Sequence, residues 1–155
     1  MLVSFDSLPG TSRVYYYPAS RKFYPDELTG LVSKVEAFCK GLTGAKISYK
    51  LVYDRFLVFF VSDVTPLSIE LNDKLVEFVL ELEKELEINL LDKVNVCFKQ
   101  GEFVQRKEIQ EFKKLIKNRS VSRRTLVLDP MITTKDEFLS NWEVPLSESW
   151  LAHLV

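Results

Sequence analysis

The side chains best placed for chemistry cluster at the ends of β-prone runs. Arg13, Tyr17, Arg21, Asp54 and Arg55 all fall there. An arginine fork at such a place grips a carboxylate or phosphate, and Asp54, or Asp73 further along, supplies a base. Thr133 and Lys135 complete the same candidate set for an anion or small molecule. The competing reading is a set of surface ion pairs, each worth less than about 1 kcal/mol. Trp142 and Trp150 frame Glu143-Val144-Pro145-Leu146. They read either as an aromatic slot for a ligand or Pro-rich peptide, or as a plug that fixes the tail to a core.

Charge is distributed unevenly. Between Glu70 and Asp92 stand eight acids and two bases, net −6. Between Arg106 and Arg124 stand eight bases and two acids, net +6. Arg106, Lys113, Lys117, Arg119, Arg123 and Arg124, with Lys107 and Lys114, make a candidate basic patch for phosphate or an acidic partner. The alternatives are two solvated helix faces, or two patches that pair with each other within or between chains.

Other chemistries find little support. The only histidine is His153, close to the C-terminal end of the sequence, which argues against a histidine triad and against histidine-based metal sites. Cys39 lies on an apolar stripe and reads as a core thiol, and Cys97 has no basic helix-start context to make it reactive. No metal and no cofactor is expected. Tyr15-Tyr16-Tyr17 and Arg55 to Val61 occupy the places where an RNA-recognition domain carries stacking rings. Arg55-Phe56-Leu57-Val58-Phe59 lacks the glycines of that motif, so nucleic acid is not the expected partner.

The elements that must position these residues follow from periodicity. Arg13 to Tyr17 reads as a strand stopped by Pro18. Pro25-Asp26-Glu27 opens a helix whose apolar stripe is Leu28, Leu31, Val32, Val35, Phe38, Cys39 and Leu42, ended by Gly41 and Gly44. Ile47 to Tyr53 alternates as a half-buried strand, and Phe56 to Val61 is continuously apolar, as in a central strand buried on both faces. Glu70 to Ile88 is helical again, with Ser68 or Asn72 as cap. Val94, Val96 and Phe98 alternate as a strand, and Gly101-Glu102 turns into a short strand, Phe103 to Gln105.

The order strand, helix, strand, strand, helix, strand predicts a ferredoxin-like βαββαβ antiparallel sheet over residues 1 to 100, with both helices on one face. Residues 101 to 155 read as an extension packed on that core: a short helix through Ile109, Phe112 and Ile116, a strand at Thr125 to Leu128, and a capping box at Thr134-Lys135-Asp136-Glu137. The fold class is α+β. The composition, 46% hydrophobic and 28% charged with net charge −1, fits one soluble globular unit of 155 residues. No apolar run reaches the roughly 18 residues of a membrane span, and Met1 to Gly10 has no leader pattern. The expectation is a cytoplasmic protein with no membrane insertion.

Ser12-Arg13-Val14-Tyr15-Tyr16-Tyr17, Tyr53-Asp54-Arg55-Phe56-Leu57-Val58, Thr125-Leu126-Val127, Ile132-Thr133-Thr134-Lys135 and Trp142-Glu143-Val144-Pro145 with Ser149-Trp150 stand out as phrases. Together they resemble a family of short bacterial proteins, mostly from Bacteroidetes, that carries the label "ABC transporter ATPase". The resemblance spans about residues 5 to 152. The family's Cys-Ser-Ile-Asp-Lys-like stretch before the second helix corresponds here to Leu67-Ser68-Ile69-Glu70-Leu71-Asn72-Asp73-Lys74, without the cysteine. The ATPase label conflicts with the residues. Gly41-Leu42-Thr43-Gly44-Ala45-Lys46 has the wrong spacing for a P-loop and no Ser or Thr after the lysine. The ABC signature Leu-Ser-Gly-Gly-Gln is missing from the sequence too. Glu111 to Pro145 also resembles a GYF-type peptide-binding module, through its short helix, Thr-Leu-Val and Trp-x-x-Pro. The leading expectation is a non-catalytic binding or adaptor protein, with a protein partner or a second copy of itself. The alternative is a small enzyme or anion-binding protein using the Arg/Tyr set.

Overall fold

The computed structural model describes residues 1–62 and 69–155. Ser68, one of the two expected caps of the second helix, lies outside the described residues. Among those described, the chain is α+β with two antiparallel sheets and divides into two compact units. The first comprises Met1–Asp92 with Thr133–Asp136, the second Lys93–Ile132 with Glu137–Val155.

The first unit is built around β3 (Phe56–Val61), in which every residue is buried. A strand buried on both faces needs a hydrogen-bonding neighbour on each side. β1 (Arg13–Pro18) and β2 (Ile47–Val52) provide them, in the order β1-β3-β2. α1 (Pro25–Gly41) and α2 (Ile69–Leu86) bury their stripes against one face of this sheet. Leu31, Val35 and Cys39 of α1 and Leu71, Leu75, Val79 and Leu82 of α2 share a core with Tyr17, Leu57, Phe59 and Val61. Asn72 sits inside α2 and caps nothing. Arg21 joins the start of α1 to the end of α2: it forks onto Glu27 at 2.8 and 3.1 Å and donates to the Leu86 carbonyl at 3.0 Å.

The opposite sheet face carries Tyr16 stacked on Phe56, and Phe5 packed edge-on against Phe60 at 4.8 Å between centroids. Phe5 begins a single 3-10 turn, Phe5–Ser7. Lys135 holds that turn. It is 7% exposed, and its Nζ donates to the Phe5 and Leu8 carbonyls at 2.8 Å each while lying 4.2 Å from the Phe5 ring centroid.

The fourth strand departs from the ferredoxin-like expectation. β4 (Val96–Gln100) belongs to the second unit, not to the sheet of β1 and β3. It pairs with β5 (Phe103–Lys107) and β6 (Leu126–Leu128), which pairs in turn with β7 (Glu143–Pro145). The boundary therefore falls at 92/93, not at 100. Val96 and Phe98 have apolar partners of their own in Phe112, Val121, Val127, Leu146 and Leu151, and α3 (Ile109–Lys117) supplies the first of these. The β1 edge that a fourth strand would occupy is met instead by residues 133 and 134, just before the short α4 (Lys135–Asn141).

Replacing Lys135 with Met leaves two carbonyls without their charged donor. The expected loss is about 2–4 kcal/mol of unfolding free energy, read as a lower urea midpoint at unchanged slope. Gly10→Ala is expected to destabilise as well. A Cβ at Gly10 would collide with the Asp136 carboxylate, whose backbone is held in place by the Asp136 amide donating to the Gly10 carbonyl.

Candidate functional site

At the β1 edge two segments from opposite ends of the chain run side by side. Val14 N–H donates to Thr133 O, Lys135 N–H to Ser12 O and Asp136 N–H to Gly10 O, each at 2.9 Å, and Arg13 bridges to Thr134. Against this short ladder lies an open cleft of about 510 Å³ lined by Thr11, Arg13, Val14, Tyr15, Thr133 and Thr134. Arg13 is exposed, and among the described residues its guanidinium makes no hydrogen bond or ion pair. The lining is thus one uncommitted cation, three threonine hydroxyls and a tyrosine.

Of the sequence-predicted set, the structure brings only Arg13 and Thr133 together in this cleft. Tyr17 is buried in the helix-side core, edge-on to Phe59. Arg55 turns onto the chain, its Nε donating to Ala19 O at 3.1 Å and its Nη2 to Ser20 O at 3.0 Å. Arg21 is held by Glu27, and Lys135 is committed to Phe5 and Leu8. These four are structural, because each donor is already spent on a carbonyl or carboxylate or is buried among apolar rings. Thr11, Tyr15 and Thr134 were missed. The alternation that pairs Tyr15 with Arg13 on β1 was a usable signal, but the two threonines join only through a contact between distant parts of the chain.

The tryptophans do not frame a slot from the segment between them. Trp142 is buried and stacked on Phe138 with centroids 5.0 Å apart, whereas Trp150 packs against the core of Val96, Phe98 and Phe112. Trp142 is thus buried, and Trp150 is half-buried at the margin of that core. Tyr16, Tyr17, Phe56, Phe59 and Phe60 are likewise buried and offer no open stacking platform. Asp73 is exposed on α2, and His153 is exposed on the 3-10 turn Ala152–Leu154. Among the described residues no three His, Cys, Asp or Glu side chains are grouped to hold a metal ion, and no helix is long and apolar enough to cross a membrane.

The second unit carries the basic patch. α3 buries Phe112, with Ile109, Leu115 and Ile116 against the same core, and leaves Lys113, Lys114 and Lys117 exposed. The helix ends in a Schellman motif: Ser120 N–H reaches Leu115 O at 3.0 Å and Arg119 N–H reaches Ile116 O at 3.2 Å. Arg119 occupies the left-handed position of that motif, with φ +66°. Glycine is the usual occupant, because a Cβ there costs about 1 kcal/mol. Arg123 and Arg124 follow on the same loop, exposed. Among the described residues none of the charged groups of Lys113, Lys114, Lys117, Arg119, Arg123 and Arg124 makes an ion pair or hydrogen bond. Phe103 adjoins this loop. It is 76% exposed and lies opposite Gln100, whose side chain donates to Ser120 O at 3.2 Å. Arg106 and Lys107 share its edge strand, β5, and are half-buried.

No family model, curated protein or solved structure matches this chain.

Burial sets the titration of the first unit's core. It pushes Tyr17 up to about 12 from 10.0, with the neighbouring Tyr15 adding to the rise. Burial, then the hydrogen bond to Glu36, does the same to Tyr49. The Cys39 thiol is pushed up to about 12 from 9.0 by burial. These groups hold their protons more tightly folded than unfolded, so their stabilising effect is complete below their ordinary values and is lost as pH rises towards 12. Spectrophotometric titration should find Tyr17 and Tyr49 ionising later in the native protein than in urea, with unfolding free energy falling above about pH 10. Cys39 and Cys97, both buried, should resist alkylation at pH 8 in the native protein and react fully once it is unfolded.

Proposed function

We propose that this chain is a non-catalytic binding protein whose second unit docks an acidic protein segment on the surface formed by α3, the loop after it and β5. Arg119 carries the reading. An arginine kept where the backbone favours glycine gives up stability for a charge, and backbone strain of this kind tends to persist where function needs the residue. Among the described residues the charged groups of Lys113, Lys114, Lys117, Arg123 and Arg124 have no internal partner to neutralise them, and Phe103 supplies an apolar anchor of the kind found at interface centres. A protein segment suits the surface better than nucleic acid. Among the described residues of the second unit Phe103 is the one exposed aromatic ring, so the surface offers no succession of rings for stacking bases.

The wider assignments belong with this reading. The first unit, with its β1-β3-β2 order, is taken as a ferredoxin-like variant whose fourth strand is diverted. The resemblance to the Bacteroidetes family transfers no activity and is compatible with a binding role. A cytoplasmic setting accords with two buried cysteines that are thiols, not a disulfide.

Arg119→Gly separates stability from binding. The variant should unfold at higher urea, with a gain of up to about 1 kcal/mol, while losing partner affinity. Quantitative capture from host extract should fall at least about tenfold for R123E/R124E and for F103S, weaken with salt and survive nuclease treatment. Capture that is indifferent to all three variants, or abolished by nuclease, overturns the proposal. A captured species that is only the chain itself makes the partner a second copy.

A further inference from the structure

The β1-edge cleft lies wholly within the first unit, apart from the residues of the basic surface. Its volume of about 510 Å³ lies within the range of small-molecule sites, roughly 300–1,000 Å³. Its chemistry points one way. Arg13 brings a fixed positive charge and a planar fork that matches two oxygens of a carboxylate or phosphate. Thr11, exposed at the mouth, brings a hydroxyl able to rotate and donate to an anionic oxygen, and Thr133 and Thr134 line the cleft opposite it. Among the described residues no carboxylate lines the cleft. The nearest acid in the ladder, Asp136, lies against Gly10 instead.

From these observations we infer that the cleft is a binding site for the oxyanion group of a small molecule, with Arg13 as the charge that recognises it and the Thr11 hydroxyl as a further donor. The Tyr15 ring, half-buried against the core, forms a fixed wall beside the arginine. Burial raises its phenol above the ordinary value, so it stays protonated and able to donate, and the Arg13 charge offsets that rise only in part. The ladder hydrogen bonds hold the two sides of the cleft together without engaging the guanidinium, so the charge is free for a ligand.

The test is a titration of the full chain, followed by amide NMR, with inorganic phosphate and separately with acetate at constant ionic strength. Saturable shifts are expected at residues 11–15 and 133–134. Arg13→Gln should weaken binding about tenfold or more, the equivalent of about 1.4 kcal/mol. Thr11→Val, at an exposed position, should weaken it less, and R123E/R124E should leave it unchanged. Saturation by phosphate alone assigns a phosphate ester, and saturation by both anions assigns oxyanions in general. The inference fails if shifts do not saturate, if they concentrate at residues 113–124, or if folded R13Q and T11V both titrate like the parent. Failure of the basic surface as a docking site would leave these outcomes unchanged.

Discussion

The first unit depends on a strand that cannot tolerate an exposed edge or face. Phe56 to Val61 is buried at every position, so each of its backbone groups must find a partner inside the protein. That demand places β1 and β2 on either side of it in full register, from Arg13 opposite Val61 and Ile47 opposite Val61 onward. It also requires cover on both faces. Leu57, Phe59 and Val61 take the two helices, and Phe60 takes the Phe5 turn. Burying side chains of this size contributes about 1.5–3 kcal/mol each, which makes β3 the centre on which the neighbouring segments are ordered.

Fixing β3 at the centre leaves β1 with an outer edge, and an unpaired strand edge has to be occupied or protected. The chain meets this with residues 133–136, which return to Gly10–Val14 and lock through backbone hydrogen bonds and the buried ammonium of Lys135. The same solution creates the cleft. Only the start of β1 is covered, so Arg13 stands beside threonines from the returning segment with no partner among the described residues to neutralise it. A structural closure and a candidate ligand site therefore share one short ladder.

In the second unit the constraint is the amphipathy of α3. Phe112 anchors its inner side next to Phe98, at 5.1 Å between ring centroids, so its lysines are left outward. Lysines in the last turn are favoured by the helix dipole, and that alone would make them unremarkable. Arg119 is different, because the position it occupies favours a residue without a side chain. The loop that follows is tied by Ser122 N–H to Thr125 Oγ1 at 3.0 Å and by Ser147 N–H to Arg123 O at 3.1 Å, which holds its arginines on a defined backbone.

Local pattern was enough to read most elements of this protein. The apolar stripes of α1 and α2, the alternation of β2 and the unbroken apolar run of β3 are properties of neighbouring residues, and they fix the type of element and the face it buries. The exposed charge of α3 follows in the same way from the period of its apolar residues. Two decisions lay beyond such patterns. Whether β4 joined β1 or β5 depended on which apolar partners Val96 and Phe98 would meet, and these come from α3, β6 and the tail. Which polar residues were free for a ligand depended on what each side chain found after folding: Lys135, Arg55 and Arg21 found carbonyls or a carboxylate, and Arg13 found an open cleft. Sequence alone placed all four as candidate cations. Only the tertiary structure separated the spent from the uncommitted, because hydrogen bonds between distant residues exist only once the chain has closed on itself.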